Sequence, residues 1–235
     1  MHLEIADGLA PLTLDNPGAR NAMSVGMMID LLGAIDRLAE EPVVAVLIHG
    51  AGDAGFCAGG DLAAVRAHLL DPAAAEGMPR AVGDALATLS SLPAVVVAAV
   101  EGAALGGGAE LLTACDWVVA STSARIGFVH ASLGVAPGWG GGARLVKQVG
   151  ARRALPLLAR AERLAAASAA AAAPAAGAAA RRPSAASPSG RWGRRRQPRT
   201  VHLAVHPGCV AWYESAEAVL PLGKMWPRAL ARSSK

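Results

Sequence analysis

The sequence predicts an α/β fold in which parallel strands alternate with helices. Residues 43–48 and 94–100 are continuous apolar runs rich in β-branched side chains, which is typical of strands buried on both faces. Each run is followed by a glycine-rich turn and then by a segment with helical periodicity. Because strands and helices alternate in this way, we expect a layered fold around a parallel sheet.

The first forty residues predict a hairpin and a long helix. Residues 3–14 alternate imperfectly around the turn signal Asp7-Gly8, which indicates two short strands. Ser24 suits the N-cap of a helix that Pro42 stops. The apolar residues of this helix recur at helical spacing, at Met27, Met28, Leu31, Leu32, Ile35 and Leu38.

The alternation continues to about residue 164. We expect helices over residues 61–70, 79–92, 106–113, 140–150 and 152–164, and strands over residues 116–120 and 125–128. A chain of this length can bury one good-sized core. We therefore predict a core domain over residues 1–164.

A different composition begins at residue 165. Residues 165–180 are almost pure alanine, and Arg, Pro and Ser dominate residues 181–199. Residues 165–235 hold 11 of the 22 Lys and Arg residues but only 2 of the 18 acidic residues. We expect a basic, low-complexity tail that is irregular or disordered, with no specific nucleic-acid partner. Its composition is typical of a GC-rich coding sequence read in another frame.

The sequence also argues against several classes of protein. Three cysteines at unrelated spacings predict neither a disulfide framework nor a metal site. The longest apolar run, residues 92–100, is too short to span a membrane. The first residues lack the charged start and apolar core of a signal peptide. We therefore expect a soluble, cytosolic protein.

Two glycine clusters suggest the chemistry. One lies in residues 56–62 (FCAGGDL) and the other in residues 101–111 (EGAALGGGAEL), each after a predicted strand. Glycine lets the backbone approach a ligand closely, and a helix start leaves N–H groups that point outward. Two such N–H groups on one oxygen form an oxyanion hole, which suits a thioester that becomes an enolate. Taken alone, either cluster is better explained by tight packing at a helix start, and neither has the spacing of a dinucleotide site.

Four ordered motifs resemble the enoyl-CoA hydratase/isomerase (crotonase) superfamily over residues 3–164. They are Asn16-Pro17 with Arg20-Asn21-Ala22, residues 56–62, residues 106–110, and Gly134-Val135-Ala136-Pro137-Gly138-Trp139-Gly140-Gly141. Within the superfamily, the pattern is most similar to decarboxylases of alkylmalonyl thioesters, above all at Phe128-Val129-His130 and Arg144-Leu145-Val146. The resemblance implies a spiral of ββα units that binds an acyl-CoA thioester. CoA is then part of the substrate, and no further cofactor or metal is expected.

The resemblance also implies roles for individual residues. The N–H groups of Gly60 and Gly107 would form the oxyanion hole, and Glu110 and His130 would be the catalytic residues. Substrate-binding positions are implied at Ala22, Ala58, Asp61, Leu62 and Trp139. Each has a simpler interpretation when seen singly: Asp61 suits a helix-start cap, Trp139 a packing wall, and Glu110 a carboxylate favoured by a helix dipole. A lone His130 would be an imidazole bonded to backbone.

Hydratases of this superfamily use two glutamates on one water, and the second falls at His130 here. This difference favours decarboxylation of ethylmalonyl-CoA or methylmalonyl-CoA, in which Glu110 or His130 returns a proton to the enolate. An enoyl-CoA hydratase or isomerase is the alternative. A catalytically silent chain is another, because nothing after residue 165 resembles the helices with which the family covers its pocket and builds homotrimers or hexamers.

Overall fold

The computed structural model describes residues 1–61, 72–172 and 202–206. The strands in these residues are β1 (His2–Leu3), β2 (Leu9–Leu14), β3 (Ala45–Gly50), β4 (Val95–Val100), β5 (Ala103–Leu105), β6 (Trp117–Ser121), β7 (Arg125–Gly127), β8 (Leu164–Ala165) and β9 (His202–His206). The helices are α1 (Val25–Glu40), α2 (Pro72–Ser91), α3 (Gly107–Leu112), α4 (Gly141–Val149), α5 (Ala151–Ala159) and α6 (Ala166–Ala172). Short 3-10 helices lie at Pro17–Ala19 and Val129–Leu133.

The strands form a six-stranded sheet in the order β1-β2-β3-β4-β6-β9 and a three-stranded sheet in the order β5-β7-β8. Strands β2, β3, β4 and β6 run parallel, and β1 pairs antiparallel with β2 through the predicted hairpin. The α/β class predicted from the alternation of strands and helices is therefore confirmed.

The main core lies between the six-stranded sheet and helices α1 and α2. Alternate residues of β2 are buried, whereas β3 buries four consecutive residues, as its continuous apolar run predicts. Leu31 and Ile35 of α1 and Leu86 of α2 are essentially inaccessible to solvent. The Ser24 hydroxyl caps α1 by accepting a hydrogen bond from the Met27 N–H at 3.2 Å, so the predicted helix start is confirmed.

Two helix boundaries differ from the prediction. Helix α2 begins at Pro72 and contains Pro79, which the sequence analysis placed at the helix start. The helix predicted over residues 152–164 was too long, because α5 ends at Ala159 and Ala161 takes a left-handed φ of +51°. Leu164 lies instead in β8, which pairs with β7. The helix predicted over residues 61–70 falls outside the described residues except at Asp61.

Some ordered structure lies beyond residue 164. Ala166 is fully buried in the main core, and its N–H donates to the Ala124 carbonyl at 3.2 Å. Strand β9 pairs in parallel with β6, where a backbone partner satisfies the polar groups of a sheet edge. The sequence predicts no helix or strand in this part of the tail. Within the described ranges, no helix combines the length and apolar character needed to cross a bilayer.

Candidate functional site

The two glycine clusters meet at the carboxyl-terminal edge of the parallel sheet. The Cys57 N–H donates to the Ala103 carbonyl at 2.8 Å, and the Leu105 N–H donates to the Cys57 carbonyl at 2.9 Å. The segment after β3 therefore runs alongside β5, which follows β4. These bonds bring Gly59 and the Gly106–Gly107 turn into contact: a Cβ built on Gly59 would lie 3.5 Å from the Gly107 nitrogen.

The predicted oxyanion-hole residues, Gly60 and Gly107, occupy these adjoining turns. Gly60 forms a bridge with Met23, whose N–H donates to the Gly59 carbonyl at 2.7 Å and whose carbonyl accepts from the Asp61 N–H at 2.9 Å. Gly107 is the first residue of α3, where an N–H has no partner within the helix. No described residue accepts a hydrogen bond from the N–H of Gly60 or Gly107. Neither N–H group is therefore engaged within the described part of the chain.

Glycine is required at position 107 because Trp139 occupies the space of a side chain. A Cβ added there would overlap the Cζ3 and Cη2 atoms of the Trp139 indole. Trp139 itself is 7% exposed. The indole therefore packs directly on the turn that presents the Gly107 N–H.

Glu110 lies one helical turn after Gly107 and is 1% exposed. Its Oε2 atom accepts hydrogen bonds from the N–H groups of Trp139 at 2.9 Å and Gly141 at 2.8 Å. Two backbone donors therefore occupy the acceptor positions of Oε2. Oε1 is consequently the carboxyl oxygen that is left to contact another group.

The Oε1 atom of Glu110 lies 3.0 Å from Nε2 of His130, in the 3-10 helix Val129–Leu133. Both side chains are largely buried, with 2% of Glu110 and 11% of His130 exposed. The other ring nitrogen of His130, Nδ1, is buried and has no hydrogen-bond partner among the described residues. The structure thus brings together the two predicted catalytic residues and leaves one nitrogen of the pair without a partner in the described chain.

Asn21 is a buried polar residue for which the sequence predicts no separate role. It has a left-handed φ of +54° and is fully buried. Its side-chain amide donates to the carbonyls of Gly55 at 2.7 Å and Ala51 at 3.0 Å, and its Oδ1 accepts from the Asn16 N–H at 3.0 Å. Asn21 therefore ties the Met23 segment to the loop that leads into Gly59 and Gly60. An asparagine in the motif Arg20-Asn21-Ala22 was the available signal.

The remaining predicted substrate-binding residues lie around the same turns. Ala22 is buried next to Met23, and Ala58 precedes Gly59 with its N–H donating to the Arg20 carbonyl at 3.1 Å. The backbone of Asp61 contacts Met23, but the helix that Asp61 was expected to cap falls outside the described residues. Leu62 also lies outside the described residues.

Cys57 lies inside the glycine cluster, but its thiol is fully buried. Burial raises the pKa of its thiol to about 11, although hydrogen bonds with the backbone of Gly59 oppose the shift. A thiol of this kind stays protonated and unreactive near neutral pH. Cys57 is therefore not a candidate for the chemistry of the site, which leaves Glu110 and His130 as its candidate acid–base residues.

Comparison with known proteins relates this geometry to one family. The model of the enoyl-CoA hydratase/isomerase family matches residues 4–173. The ethylmalonyl-CoA decarboxylase of Danio rerio is 46% identical over 159 residues, which cover 67% of this chain and 52% of the relative. The protein of that name from Xenopus laevis is 42% identical over 159 residues, with the same coverage. The chain thus spans about half the length of the curated relatives that it matches.

Solved structures show the same fold. The enoyl-CoA hydratase of Bacillus anthracis superposes with a TM-score of 0.68 at 29% identity, covering 73% of this chain and 67% of that one. An enoyl-CoA hydratase/carnithine racemase from Magnetospirillum magneticum superposes with a TM-score of 0.68 at 26% identity, covering 73% and 64%. The crotonase-like fold predicted from the four motifs is confirmed.

Proposed function

Because the chain belongs to the enoyl-CoA hydratase/isomerase family, we propose that it removes CO2 from an alkylmalonyl-CoA thioester such as ethylmalonyl-CoA or methylmalonyl-CoA. The observation that carries this proposal is the 3.0 Å contact between Glu110 and His130 beside the glycine turns. The names of the relatives from Danio rerio and Xenopus laevis support the substrate class. The absence of any cofactor besides the CoA of the substrate, and the cytosolic location, stay predictions.

In this proposal, the thioester oxygen binds to the N–H groups of Gly60 and Gly107. Breaking the bond between Cα and the free carboxylate releases CO2 and leaves its electron pair in the thioester enolate. Negative charge then develops on the thioester oxygen, where prepositioned N–H donors stabilise it. One such donor lowers the barrier by about 3 kcal/mol in comparable enzymes.

The proton that replaces CO2 at Cα comes from His130 in this proposal. The Oε2 atom of Glu110 is occupied by two N–H groups, and its Oε1 atom contacts His130 Nε2. Glu110 therefore orients the imidazole through Nε2, which lies 3.9 Å from a Cβ built on Gly106, and the imidazole acts as the general acid. Water restores the proton to the pair after the product leaves.

An enoyl-CoA hydratase or isomerase is the second candidate, because the family model carries both names and a matching solved structure carries the first. Hydration by two acid–base residues requires a water held between them. The direct contact at 3.0 Å leaves no space for a water between Glu110 Oε1 and His130 Nε2. This distance favours proton return over hydration.

The test is the release of CO2 from ethylmalonyl-CoA and methylmalonyl-CoA by the full chain, with crotonyl-CoA hydration measured in parallel. We expect CO2 release that falls by about 100-fold in His130→Gln, as for loss of a general acid. The matched control is His49→Gln. His49 lies on β3, and its Nε2 atom is 3.0 Å from the Thr13 hydroxyl. Hydration without CO2 release would favour the second candidate, and neither activity from folded protein would favour the silent chain.

A further inference from the structure

Arg144 of α4 is a charged side chain that the proposed mechanism does not use. Its Nε atom donates to the Thr113 hydroxyl at 2.9 Å, and its Nη2 atom donates to the Trp139 carbonyl at 2.8 Å and to the Glu110 carbonyl at 3.4 Å. Burial lowers the pKa of Arg144, while the negative charge of Glu110 opposes that shift. A half-buried guanidinium with these partners binds two separate segments to each other.

The two segments that Arg144 joins are the ones that hold the Glu110 carboxylate. Glu110 lies on α3, and the Trp139 and Gly141 N–H groups that bind its Oε2 atom belong to the loop before α4 and its first residue. Thr113 strengthens the junction, because its hydroxyl accepts from Arg144 and donates to the Glu110 carbonyl at 2.6 Å. One guanidinium therefore contacts the backbone of both the residue that bears the carboxylate and a residue that binds it.

From these contacts we propose that Arg144 is a positioning residue for the Glu110–His130 pair. By holding α3 against the Trp139 loop, it keeps Oε2 on the two N–H groups and directs Oε1 towards His130. Among the described residues, the charged group beside His130 is Glu110, and the charged group beside Glu110 is Arg144. This role rests on the proposed function, in which the orientation of His130 determines where the proton is delivered.

The first experiment follows the His130 imidazole by nitrogen-15 NMR in the ligand-free full chain, with His130→Gln to assign its signals. In Arg144→Gln we expect the imidazole nitrogen-15 chemical shifts of His130 to change, because the carboxylate beside it loses its fixed position. Arg125→Gln is the matched control, since Arg125 donates to the Ser123 and Ala124 carbonyls beside it in sequence. This measurement needs no turnover, so its result is independent of the proposed reaction.

The second experiment measures CO2 release by the same variants across pH. We expect kcat of Arg144→Gln to fall about 10- to 100-fold with KM nearly unchanged, because a displaced acid–base group slows the chemical step and not binding. Arg144→Lys retains the charge but not the planar set of donors, so partial recovery of kcat is expected. A folded Arg144→Gln protein with unchanged His130 chemical shifts would overturn the proposal, as would equal changes in Arg125→Gln. A wild-type chain without CO2 release would overturn the proposed function and leave the NMR result to decide the role of Arg144.

Discussion

The side chain of Glu110 is bound by the backbone of Trp139, 29 positions further along the chain, with 2.9 Å between Oε2 and the Trp139 nitrogen. The Trp139 carbonyl in turn accepts a hydrogen bond from Arg144 at 2.8 Å. The buried carboxylate is therefore part of the loop's structure as well as of the candidate site. A substitution at Glu110 should consequently affect both stability and activity. The loss of stability should depend on whether the new side chain keeps an oxygen that accepts from these N–H groups.

Glu110→Ala should destabilise the fold. It leaves the buried N–H groups of Trp139 and Gly141 without their acceptor. We expect the free energy of unfolding to fall by about 2–4 kcal/mol in urea denaturation, the cost of two unsatisfied donors. Glu110→Gln keeps an oxygen for both donors and should lose less stability, while its turnover falls about 100-fold. Equal stability loss in the two variants would contradict the bonding described for Oε2.

Asn21→Ala should weaken the connection between the Asn16–Met23 segment and the loop before Gly59. The substitution removes hydrogen bonds to the carbonyls of Gly55 and Ala51 and from the N–H of Asn16. Because these groups are buried or partly buried, we expect the free energy of unfolding to fall by about 2–4 kcal/mol. The same urea titration measures it.

Asn21→Gly separates the lost hydrogen bonds from the backbone strain. Glycine adopts the φ of +54° at position 21 without the steric cost that alanine meets there. We therefore expect Asn21→Gly to be more stable than Asn21→Ala by about 1 kcal/mol. An Asn21→Gly protein as unstable as Asn21→Ala, or more so, would mean that the left-handed backbone is not strained.

Cys57 should make the stability of the protein depend on alkaline pH. Burial raises the pKa of its thiol from 9.0 to about 11, so between these values the unfolded chain loses a proton that the folded chain keeps. Stability should therefore fall as pH rises through this window, by about 2–3 kcal/mol in all. Urea denaturation at several pH values should show a shallower fall for Cys57→Ser, and identical slopes for the two proteins would refute the contribution of Cys57.

The elements predicted best are those whose signals are local. The capped helix after Ser24 and the parallel strands β3 and β4 were predicted to within two residues at most bounds, since capping and apolar periodicity are properties of neighbouring residues. The hairpin around Asp7-Gly8 also follows from local turn chemistry, and both residues take a positive φ.

Boundaries set by distant contacts were predicted poorly. Helix α5 stops at Ala159 and the chain then enters β8, where Leu164 pairs with Ile126. Helix α2 continues through Pro79, which a local rule places at a helix start. In both cases, the packing of the segment outweighs the preference of its own residues.

In the candidate site, too, features with local signals could be predicted from the sequence, whereas contacts between distant segments could not. The glycine turns could be recognised from composition and spacing, because close backbone approach needs glycine wherever it occurs. The resemblance carried by the motifs also implied that Glu110 and His130 are the catalytic residues. Nothing local indicated that their side chains touch, that Oε2 is bound by the Trp139 loop, or that Asn21 and Arg144 join separate segments. These relationships depend on the path of each loop and on how α3 packs against α4, so they exist only once the chain is folded.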